Sequence, residues 1–183
     1  KGNYKNGKKE GSWVEYHITG QLNSKGNYNN DKKEGFWVSY RYDGKLSFKR
    51  IYKNGEYNGS YEMYHDNGQL SYKGKYKNGK QDGTLLGYLE SGELEYKNNY
   101  KNGELNGSFE MYYKNGNLWS KSEYKNGKQN GTNISYYKNG QLSDKGEYKN
   151  NKKDGFWIAY FDNGQLKSKI NFKNGKWEGS NET

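Results

Sequence analysis

Tyr148-Lys149-Asn150-Asn151-Lys152-Lys153-Asp154-Gly155-Phe156-Trp157-Ile158-Ala159-Tyr160-Phe161-Asp162-Asn163-Gly164-Gln165-Leu166 is one copy of a pattern that runs the length of the chain. Its opening aromatic recurs at Tyr4, Tyr28, Tyr52, Tyr76, Tyr100, Tyr124, Tyr148 and Phe172, a step of 24 without insertion. Other columns keep the same step, among them the tyrosines from Tyr16 to Tyr160, the leucines from Leu22 to Leu166 and the lysines from Lys25 to Lys169. A fixed period of this length marks a repeat architecture in which neighbouring units bury one another's surface.

Each unit reads as two short strands. Asn67-Gly68, Asn115-Gly116, Asn139-Gly140 and Asn163-Gly164, with Thr19-Gly20 as the variant copy, sit between short alternating runs. That predicts a hairpin with a two-residue type I′ turn, whose central positions both need positive φ. Lys5-Asn6-Gly7-Lys8 and its copies then turn the chain into the next unit. The predicted fold is all-β: tandem 24-residue hairpins in one elongated, twisted antiparallel meander. Residues 1–183 form a single array of about seven and a half units. Some 14 or 15 strands at about 4.8 Å spacing would make a sheet roughly 70 Å long, coiling so that its aromatic columns pack along the axis.

A two-residue turn sets the register. Positions 17 and 22, 16 and 23, 14 and 25, and 13 and 26 then lie opposite one another and share faces. One face is predicted to carry Trp13, His17, Leu22 and Tyr28, with Gly26 leaving room for the Trp13 indole. The other carries Tyr16, Lys25 and position 14. In this register Glu62 faces Lys73 and Glu110 faces Lys121.

Composition limits what such a sheet can bury. Leu, Ile, Val and Phe number 24, about 13% of 183 residues, under the roughly 20% below which highly charged chains stay unfolded. Twenty-one Tyr and 5 Trp supply the compensating apolar area. With no Cys there is neither a disulfide nor a thiolate metal site. No apolar run approaches the ~18 residues of a membrane span, and nothing reads as a signal peptide, so this stretch reads as soluble.

The pattern Tyr-Lys-Asn-Gly-Lys-x-x-Gly-x-Trp-x-x-Tyr-x-x-x-Gly-x-Leu, as at Tyr148 to Leu166 with Asn151 in place of Gly, resembles the MORN repeat, and more closely its bacterial variant. The resemblance implies tandem hairpins forming a non-catalytic interaction scaffold. Some relatives carry the label of antitoxin component of a toxin–antitoxin module, which implies binding and neutralising a partner protein. MORN repeats have also been linked to membranes and acidic phospholipids.

Catalytic chemistry has little to work with. His17 and His65, the two histidines, sit two hairpins apart in one column, about 19 Å along the sheet, too far to share a metal ion or a proton relay. They read as core-edge residues. The acids are scattered, no nucleophile has a base in reach by spacing, and no cofactor is indicated. The chain reads as not an enzyme. Its net charge of +10 permits anionic contacts. Nucleic acid or acidic phospholipid is nevertheless disfavoured, because acids interleave with the lysines and only Arg41 and Arg50 are arginine.

Departures from the period single out a surface. Trp119 interrupts a column of mostly Asn, Ser, Glu and Lys, and in the predicted register faces Tyr112. The candidate partner-binding residues are Trp119, Tyr112, Tyr64, Tyr88, Tyr136, Lys97 and Lys121, an exposed indole beside tyrosine and lysine ladders. The leading reading is a scaffold binding a partner protein, antitoxin- or immunity-like by resemblance. The alternatives are a cell-surface module gripping glycans through exposed aromatics, and a structural spacer. Leu85, Leu86, Gly87 and Leu89 form an unusual aliphatic unit, a bend or drift. Lys1-Gly2-Asn3-Tyr4 begins inside a second strand, so the array reads as cut at its N-terminus from a longer, bacterial protein. The upstream sequence decides between cytoplasm and surface. Open edge strands could pair end to end, and Asn181 reads as a polar cap.

Overall fold

A computed structural model describes residues 1–179, and among them every regular element is a β-strand. Two compact units divide at Gly92 and Glu93. The first holds β1 (Gly2–Lys5), β2 (Lys8–Tyr16), β3 (Leu22–Asn29), β4 (Lys32–Tyr40), β5 (Leu46–Lys53), β6 (Glu56–Tyr64), β7 (Leu70–Lys77), β8 (Lys80–Gln81) and β9 (Gly83–Tyr88). β1 to β7 pair antiparallel in chain order, and β8 and β9 both pair with β7. The second holds β10 (Leu94–Lys101), β11 (Glu104–Tyr112), β12 (Leu118–Lys125), β13 (Lys128–Tyr136), β14 (Leu142–Lys149), β15 (Lys152–Tyr160), β16 (Leu166–Lys173) and β17 (Lys176–Trp177), again paired antiparallel in order. The hairpin meander expected from the period is therefore present in each unit.

Among the described residues the strands number 17 rather than 14 or 15, in part because the aliphatic unit is broken. Asp82 leaves the ladder between β8 and β9 and donates its N–H to the Lys75 carbonyl at 2.9 Å. Asn181 lies outside the described residues.

The two kinds of turn are the reverse of the sequence expectation. In the inter-unit turns both central residues have positive φ: Asn6 at 51° and Gly7 at 75°, and likewise Asn126 at 50° and Gly127 at 73°. These are the I′ turns, and Lys5 pairs Lys8 across the first of them. At the hairpin tips only the glycine is positive, as at Gly68 (φ 89°). There the Gly68 N–H donates to His65 O at 2.9 Å and the His65 N–H to Gln69 O at 2.8 Å. That closes a three-residue loop, Asp66-Asn67-Gly68. Asn67 is held by its side chain instead of by a left-handed backbone. Its Oδ1 accepts the Gln69 N–H at 2.9 Å, and its Nδ2 donates to Glu90 O of the next hairpin at 2.5 Å.

One extra loop residue shifts the register at the tip. Tyr16 pairs Leu22, and a bulge at Asn23 restores Glu15 to Ser24, Val14 to Lys25 and Trp13 to Gly26. The expected pairs 14–25 and 13–26 stand, whereas 17–22 and 16–23 are replaced. A one-residue slip moves a side chain to the other face. Leu22 accordingly joins Tyr16, Val14 and Lys25 rather than Trp13.

The core is a ladder of rings. Tyr4, Trp13, Tyr28, Trp37 and Tyr52 meet in succession at centroid separations of 5.2, 5.6, 5.1 and 6.3 Å, all edge to face, the arrangement that ring quadrupoles favour. Trp37 is fully buried, and its Nε1 donates to Asn27 O at 3.0 Å. Gly26 does make room for an indole, but for that of Trp37. Gly2 does so for Trp13 and Gly146 for Trp157.

Candidate functional site

Two surfaces follow from this register. On the ring side, residues of the His17 column tie each hairpin to the next. His17 Nε2 lies 3.0 Å from Tyr40 O and His65 Nε2 2.8 Å from Tyr88 O. Arg41 donates to Tyr64 O and His65 O, Tyr113 Oη donates to Tyr136 O, and Tyr137 Oη to Tyr160 O. Three kinds of side chain thus perform one task, satisfying a carbonyl about one period ahead. The structural role expected for the histidines is what their contacts describe.

Lysines also work on this side. Lys9, Lys33 and Lys153 place their ammonium groups 4.5, 4.2 and 3.9 Å from the ring centroids of Trp13, Trp37 and Trp157, cation–π contacts that cap the indoles. Lysines of this column therefore share the ring side rather than the face of Lys25. Period alone could not assign its face, because a bulge intervenes between the inter-unit turn and Trp13.

On the opposite side two acids organise the candidate residues. Glu110 is paired across both neighbouring strands with Lys97 and Lys121, at 3.9 and 3.2 Å, and accepts a hydrogen bond from Tyr112 Oη at 2.7 Å. Burial pushes the Glu110 carboxyl up, but the Tyr112 hydroxyl and the Lys121 ammonium outweigh it and leave it below its ordinary range. Tyr112 is pushed up to about 12, by burial first and then by the Glu110 carboxylate. Glu62 repeats the arrangement with Tyr64 and Lys49, the latter at 2.9 Å, and stands opposite both Lys49 and Lys73. Tyr64 and then Lys49 hold its carboxyl low. The predicted facing pairs Glu62–Lys73 and Glu110–Lys121 are present.

Of the sequence-predicted site, Tyr112, Lys97 and Lys121 come together around Glu110, and Tyr64 has its own acid. The Lys73 ammonium lies 5.7 Å from the Tyr88 ring centroid. Tyr136 keeps the same column position, opposite Leu142. Trp119 is not with them. It occupies the bulge position, so it does not face Tyr112, which pairs Leu118. Its ring lies 6.2 Å from that of Tyr113 and it is 43% exposed. Lys167, two periods later in the same column, likewise reaches the ring of Phe161.

Phe36 is the residue that the sequence reading passed over. It stands where Ser12, Ser60 and Thr84 stand in other units, and it is 54% exposed. No group of three or more His, Cys, Asp or Glu able to hold a metal ion occurs among the described residues.

The MORN repeat variant model matches residues 9–30, 57–78, 81–102, 105–126, 129–150 and 153–174. The chain belongs to the MORN repeat variant family. Each matched MORN span ends on the first central residue of an inter-unit turn, as at Asn78 and Asn126. The family is a non-enzymatic repeat scaffold. No curated protein matches this MORN chain. Among solved structures, chains described as TcdB2-TccC3-Cdc42, TcdB2-TccC3-TEV and TcdB2-TccC3 share 13, 14 and 14% identity with it, at TM-scores of 0.20, 0.22 and 0.21. The alignments cover 89, 86 and 86% of the MORN chain, which spans 11% of the length of each of those chains.

Proposed function

We propose that this chain is a non-catalytic MORN scaffold that holds a partner protein against the sheet face carrying Tyr16, Lys25 and their copies. One observation carries the reading. On that face Tyr16, Phe36, Phe156 and Leu166 are about half exposed. Exposed apolar and aromatic side chains among interspersed charges are the composition of a protein-binding surface. In its finer form the partner is a toxin neutralised by occlusion, an antitoxin- or immunity-like role that rests on the family resemblance.

The test is capture of a stoichiometric partner by the wild-type chain, compared with Phe36→Ser and Tyr16→Ser. Capture lost in these variants, at unchanged circular dichroism, supports the face. Equal capture by all three removes it, and no capture leaves the spacer role. A second reading has its own observation: the tilted Trp119–Tyr113 pair, with an exposed indole, has the form of a sugar-stacking platform. Unchanged Trp119 fluorescence across a panel of oligosaccharides would dismiss it.

A further inference from the structure

The lysine ladder is not uniform. Lys49 and Lys73 both stand opposite Glu62. Lys25 instead stands between Val14 on β2 and Val38 on β4. Its charge is therefore flanked across both strands by aliphatic side chains. Val38 is 4% exposed and forms a floor, and the half-exposed Phe36 ring stands beside it. Together with Ser12 and Asn27 these residues line a shallow hollow of about 270 Å³. The corresponding hollow between β6, β7 and β9, about 280 Å³, is lined by Ser60, Glu62, Lys73, Lys75 and Thr84, with Leu86. It carries its own counter-charge in Glu62. An apolar floor and an uncompensated cation thus coincide at Lys25.

Resting on the partner-protein reading above, we infer that this hollow is a specificity pocket that takes an apolar side chain of the partner while Lys25 pairs with a carboxylate next to that side chain. Burying the apolar group against Val14, Phe36 and Val38 removes water from around the ammonium, which strengthens its attraction for the carboxylate. A basic pocket rim on a chain of net charge +10 also favours encounter with an acidic segment. A fatty acid carries the same two chemical groups. The hollow is shallow and has room for about one side chain, which favours a protein segment over an acyl tail. The second unit holds a related arrangement: Lys145 lies between Ile134 and Ile158, with Phe156 exposed. There Lys169 sits 4.5 Å from the Phe156 ring centroid and covers it, so this copy should bind more weakly.

The probe is a short capped peptide with one Phe between two Glu, titrated into the whole chain with labelled valine methyls and followed by NMR. Saturable shifts at Val14 and Val38 are expected, about tenfold weaker in Lys25→Glu and in Lys25→Gln and retained in Lys25→Arg, as suits loss of one charged contact. Lys25 is exposed, so the variants should melt as the wild type does. No saturable shift, or equal shifts from the same peptide with Lys in place of Glu, overturns the inference. Decanoate binding where the Glu peptide does not also overturns it. If the captured partner still binds Lys25→Glu and Lys25→Gln as it binds wild type, the pocket is wrong and the scaffold reading stands.

Discussion

The indole of Trp37 occupies the space that a side chain on Gly26 would need: an ideal Cβ there would lie 2.2 Å from Trp37 Cδ2. No rotamer adjustment of a fully buried ring relieves that overlap, so Gly26→Ala should destabilise the first unit by about 1–3 kcal/mol. Trp37→Ala alone should lose about 3–5 kcal/mol. The double variant should cost less than the sum, because once the ring is gone the methyl has room. Urea denaturation of the four proteins measures the coupling, and strict additivity would refute the contact.

Gly127 isolates backbone strain. Nothing lies within 4 Å of a Cβ built on it, yet its φ is 73°. Gly127→Ala should cost about 1–2 kcal/mol from the left-handed conformation alone, visible as a lower denaturation midpoint with an unchanged slope. Gly127→Asn, matching Asn151 in the same column, should recover most of it.

Tyr137→Phe removes the 2.8 Å bond to Tyr160 O and leaves the ring in place. A loss of about 0.5–1.5 kcal/mol is expected, with faster amide exchange concentrated at the following hairpin tip. Uniform acceleration across the second unit would contradict a local tie.

The Glu110–Tyr112 pair gives a pH profile with two edges. The Glu110 carboxyl is lowered in the folded state, so its contribution is complete above the unfolded value of about 4.3 and disappears as pH falls through the folded value. The Tyr112 phenol is raised to about 12. Its contribution is complete below its ordinary value of about 10 and disappears as pH rises from there toward 12. Glu110→Gln should therefore differ from wild type at pH 7 and converge with it in acid. Tyr112→Phe should flatten the alkaline edge. Profiles parallel to wild type in both variants would deny the pairing.

Much of this was legible in the residues. The period gave the hairpins, and the Glu110–Lys121 register survived because the ladder is regular between its two irregularities. The tip was misread because Asn-Gly suits a two-residue turn, whereas Asn67 is retained for its amide's bonds to Gln69 and Glu90. That single loop residue moved Leu22 and Trp119 to the other faces. A signal for the ring packing was present and unused: Trp13, Trp37 and Trp157 each follow a glycine, Gly2, Gly26 and Gly146, by 11 positions. Where the later residue is Tyr61, Phe109 or Asn133, the earlier one is Arg50, Asn98 or Ser122.

The ties from His17, Arg41, His65, Tyr113 and Tyr137 all reach toward residues synthesised later. As the chain leaves the ribosome, a newly made hairpin therefore has its reaching side chain ready but no carbonyl to receive it until about 24 more residues have emerged. Consolidation of that edge should trail translation by one unit, and a stall partway along would leave the newest hairpin, not the oldest, with its polar tip in water.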